Sequence, residues 1–583
     1  MLKKSENQGH KPLAPEFEFP DPKTKNKRDR KIQRMLEVIP GILTWATIVG
    51  MFVFSFLVPV WVAIFIIIFD IYWIFRTIFI AYYSIEGYRK LKKGKKIDWW
   101  ERCQNISNPE KFKEVIVKRI GDLKESLQEK SLLSRAERKI IKREIKNQRE
   151  CLQEVKNIEK LSAAVGKNQI LDWREIVQVV MLPTATEPAE VIEPSIRAIA
   201  ESNFPNQQII VLLATEEREP EERRLQKVNY LKDKFAGVFR DFIVTTHIVK
   251  DDEMKAKGSN ATFAAKVLMK YLNERNIDFK KVIFSNFDCD SVAHPQYFAA
   301  LTYEYITDPK RLQRSYQPLP MYHNNIWDTN AFVRIIVTSS SFWHIFQSTR
   351  PDGMVTFSSH SEPFDTLVRV GFWPVNMISE DSIIYWKCFT YYNGDYKVKP
   401  LYLPISLDAV LAETYWKTIV NQYKQKRRWA YGIENFPVIM RALGPNKKVG
   451  LWKKIKVAFE MLEGHHSWAT APFILAVLGW LPVIIGGEQF NQSVLAHNLP
   501  AVTRTLMNLA MFGLAISVSL SFLLMPPRPQ KYSRWKNIYM VLQWILIPIT
   551  APFLGALPAI DSQTRILLGK YFGEFWVTEK IRK

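Results

Sequence analysis

Only four cysteines, Cys103, Cys151, Cys289 and Cys388, occur in 583 residues, far apart and with no Cys-x-x-Cys pair. That scarcity excludes a disulfide framework or a cysteine zinc site and leaves reduced thiols as the default. Internal repeats and low-complexity tracts are absent. The polar first 34 residues lead into no short apolar core with a small-residue cleavage site, so no cleaved signal peptide is expected. Acidic residues are also short, 58 against 81 Lys and Arg, for a net charge of +23. No nucleic-acid-binding motif accompanies the excess, and no nucleic-acid partner is expected. Lys and Arg collect at the cytoplasmic flanks of membrane spans, where anionic headgroups favour each by about 1 kcal/mol.

What the chain does have is segregated apolar sequence. A first run, 38–58, is long enough to cross a hydrocarbon core of roughly 30 Å, and a second, 61–83, follows Pro59. Basic residues before the first and after the second (Tyr88-Arg-Lys-Leu-Lys-Lys-Gly-Lys-Lys96) put both flanks in the cytoplasm, so the pair reads as a hairpin. Asp70 falls near mid-bilayer, lining a path or bonding another span, and Arg76 nearer the cytosolic end can snorkel. Residues 108–160 are rich in Lys, Arg, Glu and Gln and read as one or two solvated helices. Residues 448–460 alternate basic and apolar side chains, as an interfacial helix does. His465 and His466 after it read as interfacial and not as metal ligands. Apolar runs return at 469–485, 507–525 and 538–560, the last interrupted by Pro548, Pro552 and Pro558. A count of five spans would leave the tail outside, yet its Lys570, Lys580, Arg582 and Lys583 favour the cytoplasm, which a re-entrant or broken last segment permits.

Between the apolar ends, short β-branched runs at 175–182, 208–213, 242–248 and 281–285 alternate with helical stretches. That alternation predicts βαβ units and a mostly parallel sheet covered on both faces, with ligands beyond the carboxyl ends of its strands. Just past the fourth run stands Asn286-Phe-Asp288-Cys-Asp290. Two carboxylates one residue apart can ligate one hard cation, although Asp-x-Asp is also common on solvated surfaces. Ser379-Glu380-Asp381 opens a helical stretch; its carboxylates either cap the helix or supply a general base, Asp381. Gln425-Lys-Arg-Arg428-Trp429 places 425, 428 and 429 on one helix face, where a guanidinium can grip an anion and a ring can stack on a sugar. Lys426 and Arg427 point elsewhere and fit a basic helix on the membrane.

Asp-x-Asp, Glu-Asp about ninety residues on, then Gln-x-x-Arg-Trp, flanked by spans, resembles the processive family-2 glycosyltransferases, whose familiar members are cellulose, hyaluronan and chitin synthases. The resemblance covers roughly 173–432 and implies an α/β GT-A-like (nucleotide-diphospho-sugar transferase) domain inserted between transmembrane helices, inverting transfer and a growing polymer. It implies a nucleotide-sugar donor, a UDP-sugar first; a glycan or lipid-linked acceptor; Mg2+ or Mn2+ on Asp288 and Asp290; and Asp381 as base supported by Glu380. Met181-Leu-Pro-Thr184-Ala-Thr-Glu187 is similar to the family's first-strand turn and Lys255-Ala-Lys257-Gly258-Ser-Asn260 to its donor segment, which makes Thr184, Glu187, Lys257, Asn260 and Asp288 nucleotide-sugar residues. Gln425, Arg428, Trp429 and His360 fall on the acceptor and diphosphate side, His360 within Thr356-Phe-Ser-Ser-His360-Ser. Phe575-Trp-Val-Thr578-Glu-Lys580 resembles the family's C-terminal Val-Thr-x-Lys.

Departures accompany the match. Glu216-Glu217 stands where the family has an Asp pair at the base, with Glu217 the one carried forward. Ser379 replaces a common Thr, and His360 a small residue. No sequence follows Lys583 for a cyclic-dinucleotide-binding barrel, so regulation by that route is not expected. The expected organisation is a tail (1–35), transmembrane hairpin (36–86), charged insertion (87–170), GT-A domain (171–432), interfacial helices (433–465), C-terminal membrane bundle (466–562) and tail (563–583). The expected location is the plasma (inner) membrane, multi-pass, with the catalytic domain cytoplasmic. Two rivals stand beside the polymerase reading: single-sugar transfer to a lipid or lipid phosphate, and a non-catalytic scaffold or export subunit.

Overall fold

The computed structural model describes residues 17–129, 133–165, 170–573 and 581. Four β-branched runs, buried throughout except for the half-buried edge strand β3, form the parallel half of a sheet: β1 (Val177–Pro183), β2 (Ile209–Glu216), β3 (Asp241–His247) and β4 (Val282–Asn286). The helices Ala189–Ala200, Glu221–Lys234 and Lys257–Glu274 connect them. Side chains alternate across the sheet, so Val180 and Leu182 enter one apolar core while Val179 and Met181 enter the other. This is why β1 is buried at every position, as a parallel strand covered on both faces must be.

The expectation of a mostly parallel sheet needs correction. Among the described residues eight strands form one mixed sheet in the order β3-β2-β1-β4-β7-β6-β8-β5, completed by β5 (Val292–Ala293), β6 (Arg314–Met321), β7 (His360–Pro363) and β8 (Lys397–Ser406). β7 runs antiparallel to both β4 and β6, β5 is antiparallel to β8, and β6 and β8 are parallel. Sequence pattern hides these strands because Pro318, Pro320, Pro400 and Pro404 interrupt β6 and β8, and proline argues against an interior strand. The ladder accommodates them with a register shift between Gln317 and Leu319.

The charged insertion is two helices, Pro109–Glu129 and Arg135–Val165. They are not merely solvated. Phe112, Ile116, Ile120, Ile145, Val155 and Ile158 join the same core as Trp99 and Tyr303, and Glu154 bonds Arg102 and Tyr303 at 2.9 Å each. Charged outer faces masked a buried inner stripe.

Among the described residues four helical stretches are long and apolar enough to cross a membrane: Lys27–Leu57, Pro59–Gly94, Val494–Leu524 and Trp535–Leu567. A fifth candidate is the pair Leu451–Ala476 and Leu478–Ile485, bent by 50°. The interfacial segment is thus continuous with the start of the next run, in one helix as far as Ala476, with Leu451, Trp452, Ile455 and Phe459 exposed on it. Proline-rich 538–560 stays helical through a 3-10 turn at Gln543–Leu546 and a π turn at Ala551–Ala556. The second span continues past its apolar run to touch the α/β domain, where a Cβ at Gly94 would collide with the Tyr402 carbonyl of β8. Asp70 is buried beside Thr503 of Val494–Leu524, and Arg76 is paired with Glu463. His465 and His466 bond the Met461 carbonyl and Thr47, each at 2.9 Å. The C-terminal Val-Thr motif lies outside the described residues.

Candidate active site

The turn after β4 and the first turns of two helices meet in one charged cleft, and Asn260 and Thr184 link it to the ends of β2 and β1 through the Ala214 carbonyl. At its centre is Lys257, the first residue of Lys257–Glu274. Its ammonium lies 2.7 Å from Asp288 Oδ1, 3.2 Å from Asp381 Oδ1 and 3.8 Å from Glu380. Burial alone would lower the Lys257 pKa, but Asp288, Asp381 and Glu380 reverse this and raise it, so the amine is charged at neutral pH. The helices carrying Lys257 and Glu380 approach closely because residue 258 is glycine: a Cβ there would stand 3.1 Å from both Glu380 Cβ and the Pro374 carbonyl.

Glu380 and Asp381 begin the helix Glu380–Tyr391, and Ser379 before them makes no side-chain cap. Its hydroxyl instead donates to Glu434 at 2.7 Å, and the same Glu434 oxygen accepts the Ile378 and Ser379 amides at 2.9 and 2.8 Å. Burial pushes Glu434 up to about 7, against those hydrogen bonds. Glu380 is likewise raised, by burial first and the Asp381 charge second, with Lys257 and Arg428 pulling the other way. Thr356 Oγ1 donates to the Asp381 carbonyl at 2.5 Å. Sequence reasoning missed Glu434; its role depends on a contact remote in sequence, and no local signal marks it.

The Asp-x-Asp triplet lies in the turn after β4, not on the strand. Asp288 faces the cleft, taking Lys257 on one oxygen and the Ser358 hydroxyl on the other. Asp290 is fully buried behind it, with Oδ2 accepting the Asp408 amide at 2.7 Å. Cys289 between them is buried, as its small side chain suggests. Among the described residues no group of three or more His, Cys, Asp or Glu is arranged to hold a metal ion. The carboxylates nonetheless gather a cation, the Lys257 ammonium. Hard oxygen donors suit Mg2+ or Mn2+, and Mg2+ is commonly held by one or two carboxylates with substrate phosphates supplying more, so Asp288 fits that role.

Other candidates lie at the carboxyl ends of β1 and β2 and on the helices beside them. Glu187 folds back on its own turn, accepting Ala185 N at 2.7 Å and Thr184 Oγ1 at 3.1 Å. Lys227, which the motifs did not indicate, ties Thr184 to the buried Glu219 at 3.2 and 2.6 Å. Asn260 is buried and donates to the Ala214 carbonyl, which also receives the Thr184 amide. Of the two glutamates ending β2, Glu216 is buried beside Arg218, whereas Glu217 is exposed and accepts Val249 N at 3.0 Å.

On the opposite side, helix Tyr415–Ala430 supplies the third motif. Burial lowers the Arg428 pKa, while Glu380, Asp288 and Asp381 act to raise it; the guanidinium thus faces the Lys257 carboxylates. Gln425 is buried and accepts from Gln422 at 3.2 Å, and the Trp429 ring centroid lies 6.2 Å from that of Tyr322. Lys426 and Arg427 are engaged within the protein: Lys426 sits over Trp429 and Trp468 at 4.7 and 5.3 Å, and Arg427 pairs with Asp561 at 3.0 Å. His360 is also displaced from its expected place on the acceptor surface. It is fully buried in β7, beneath Asp381.

Residues 285–559 match the model of glycosyl transferase family group 2. That stretch, just under half of the chain, carries the sequence of a family-2 glycosyltransferase domain. A stretch of 155 residues is 28% identical to the poly-beta-1,6-N-acetyl-D-glucosamine synthase of Staphylococcus epidermidis, covering 26% of this chain and 34% of that protein. The chain therefore spans about a third of the length of that curated relative. Two solved structures are similar at low identity. A mannosyltransferase from Pyrobaculum calidifontis in complex with GDP-Man and Mn2+ is 13% identical over 68% of this chain and 88% of its own, with a TM-score of 0.38. Residues 1-349 of TarS from S. aureus, in complex with UDP-GlcNAc, are 11% identical over 68% of this chain and 93% of that one, with a TM-score of 0.32. The glycosyltransferase domain has the GT-A-like α/β architecture expected, with membrane-length helices on both sides in sequence.

Proposed function

We propose that the protein is a membrane-embedded, inverting glycosyltransferase that moves a sugar from a nucleoside-diphosphate-sugar onto a growing polysaccharide, processively. The observation that carries this reading is the convergence of Asp288, Glu380 and Asp381 on Lys257, with the Arg428 charge facing the same carboxylates. Membrane-length helices on both sides of the domain support a membrane setting, and the basic flank at 88–96 supports a cytoplasmic catalytic domain at the plasma (inner) membrane.

In this reading Asp381 accepts the proton of the acceptor hydroxyl while its oxygen attacks the anomeric carbon, and the nucleoside diphosphate departs from the opposite face. Glu380 holds that segment in place. Lys257 and Arg428 offset the negative charge that gathers on the leaving diphosphate. Asp288, with Asp290 behind it, would hold Mg2+ or Mn2+, which when bound there supplies further charge compensation to the diphosphate. Thr184, Glu187, Glu217 and Asn260 shape the nucleotide side; Gln425 and Trp429 shape the acceptor side, where a ring can stack on the terminal sugar.

The test is release of nucleoside diphosphate from a panel of nucleotide-sugars by the purified protein. UDP-N-acetylglucosamine comes first because the S. epidermidis relative is named for a polymer of that sugar. Products are then sized: a ladder of long chains is expected, and a single-sugar lipid product would overturn processivity. Asp381→Asn should abolish turnover while the protein stays folded and binds UDP. Full activity in that variant would remove the base assignment.

A further inference from the structure

β7 sends alternate side chains to opposite faces of the sheet. Ser361 points to one side, where it meets Ser285 and Tyr297 at 2.7 and 2.8 Å. His360 and Glu362 point to the other, beneath the first turn of Glu380–Tyr391. Both are buried, His360 at 0% and Glu362 at 1% exposure. His360 Nδ1 lies 2.7 Å from the Phe357 carbonyl, which can only accept, so Nδ1 carries hydrogen and donates to it. The same nitrogen is 3.8 Å from Asp381 Oδ1.

The tautomer leaves Nε2 of a neutral His360 as a bare acceptor. Nε2 faces Glu362 Oε1 at 3.6 Å, and an ionised carboxylate is an acceptor too. Neither His360 Nε2 nor Glu362 Oε2 has a hydrogen-bond partner, and both amide atoms of Asn286, opposite His360 in the ladder, are buried without one. Two acceptors confronting each other in a buried interior are costly, and a single proton between them relieves both. Glu362 is otherwise anchored only lightly, by Ser315 Oγ at 3.3 Å, itself bonded to Tyr396 at 2.7 Å.

We propose that His360 and Glu362 are positioning residues that share one proton beneath Asp381 and thereby keep the floor of the cleft electrically neutral while the donor diphosphate is bound. The proposal rests on Asp381 being the base of the proposed transfer. The cleft already holds Asp288, Glu380 and Asp381 against the charges of Lys257 and Arg428. One more negative charge below it would repel the incoming diphosphate.

The surroundings favour the neutral arrangement from both partners. Burial raises Glu362 to about 8, opposed by the Ser315 hydrogen bond and assisted by the Asp381 charge. Cys388 also lies near Glu362. Burial lowers His360, as does the charge of Lys257, while Asp381, Asp288 and the Phe357 carbonyl act to raise it. A carboxyl raised in this way keeps its proton below about pH 8 and loses it above, so the extra charge arrives on the alkaline side.

The discriminating variant is Glu362→Gln, whose amide can donate to Nε2 and has no proton to lose. With UDP-N-acetylglucosamine as probe, kcat/KM of the wild type should fall from about pH 8 upward, approaching tenfold per unit. Glu362→Gln should match the wild type within about threefold at pH 7 and show a clearly shallower limb, what remains belonging to Glu380, whose carboxyl is also raised. An identical alkaline limb in both proteins overturns the proposal, because a merely structural pair would leave the pH profile unchanged. Should the variant fail to fold, the wild type alone decides: UDP affinity must weaken about tenfold between pH 7 and 9.5, and constant affinity overturns the proposal. The two readings fail separately. An inactive Asp381→Asn with an unchanged Glu362→Gln profile sinks the proton-sharing pair only. A fully active Asp381→Asn sinks the base assignment and with it the pair's proposed role.

Discussion

Replacing Lys257 by Met removes the charge on which three carboxylates converge while keeping much of the side-chain volume. Breaking one partner out of a fully buried ion pair costs roughly 3–5 kcal/mol. Asp288 and Asp381 keep 31% and 24% of their side-chain surface in contact with solvent, so screening reduces the cost here. About 2–3 kcal/mol is expected, equivalent to a fall of roughly 5–10 °C in the thermal midpoint for a domain of this size. The pH dependence has a definite sign. Lys257 restrains the Glu380 pKa against burial and Asp381, so its loss pushes Glu380 further up. A raised carboxyl favours the folded state while protonated and disfavours it as pH rises through its folded pKa. The deficit should therefore be roughly constant below about pH 8, where Glu380 stays protonated in both proteins, and grow above it as only the wild type's carboxyl ionises readily. Millimolar Mg2+ should recover more of the midpoint in the variant than in the wild type, because a cation can return to the vacated centre. Donor turnover should drop about a hundredfold or more, as when one preorganised donor to a developing anion is lost. Thermal unfolding in detergent, scanned over pH with and without Mg2+, tests this reasoning. A midpoint equal to the wild type's at every pH would refute it.

Two further perturbations probe the residues around the cleft. Lys227→Met breaks a pair whose side chains are 4% and 1% exposed, leaving Glu219 buried without its cation, so a loss of about 3–5 kcal/mol is expected by denaturant unfolding. Glu434→Ala unties the Ile378 and Ser379 amides from their common acceptor. Turnover should fall about tenfold with UDP affinity unchanged, measured by steady-state kinetics beside equilibrium binding, because the base segment loosens while the nucleotide side is untouched.

Periodicity and short motifs carried the local part of this protein. Apolar runs long enough to span a bilayer, four β-branched strands and three motifs of chemically suited residues are all contiguous in sequence, and each is governed by interactions within a few residues. What they could not supply is which side chains meet. β6 and β8 were hidden because their prolines break the strand pattern and are tolerated only in the register that neighbouring strands impose. The insertion helices looked solvated because composition counts charges without showing which face lies against Tyr303. Lys257, read as a donor contact, became the centre of the carboxylates only when the first turns of two helices were packed against each other at Gly258. His360 was read as facing the acceptor; the antiparallel insertion of β7 between β4 and β6 instead turned it inward beneath Asp381. Chain-local forces set the elements and the chemistry available, whereas burial and long-range pairing decided which groups share a dielectric and therefore a charge.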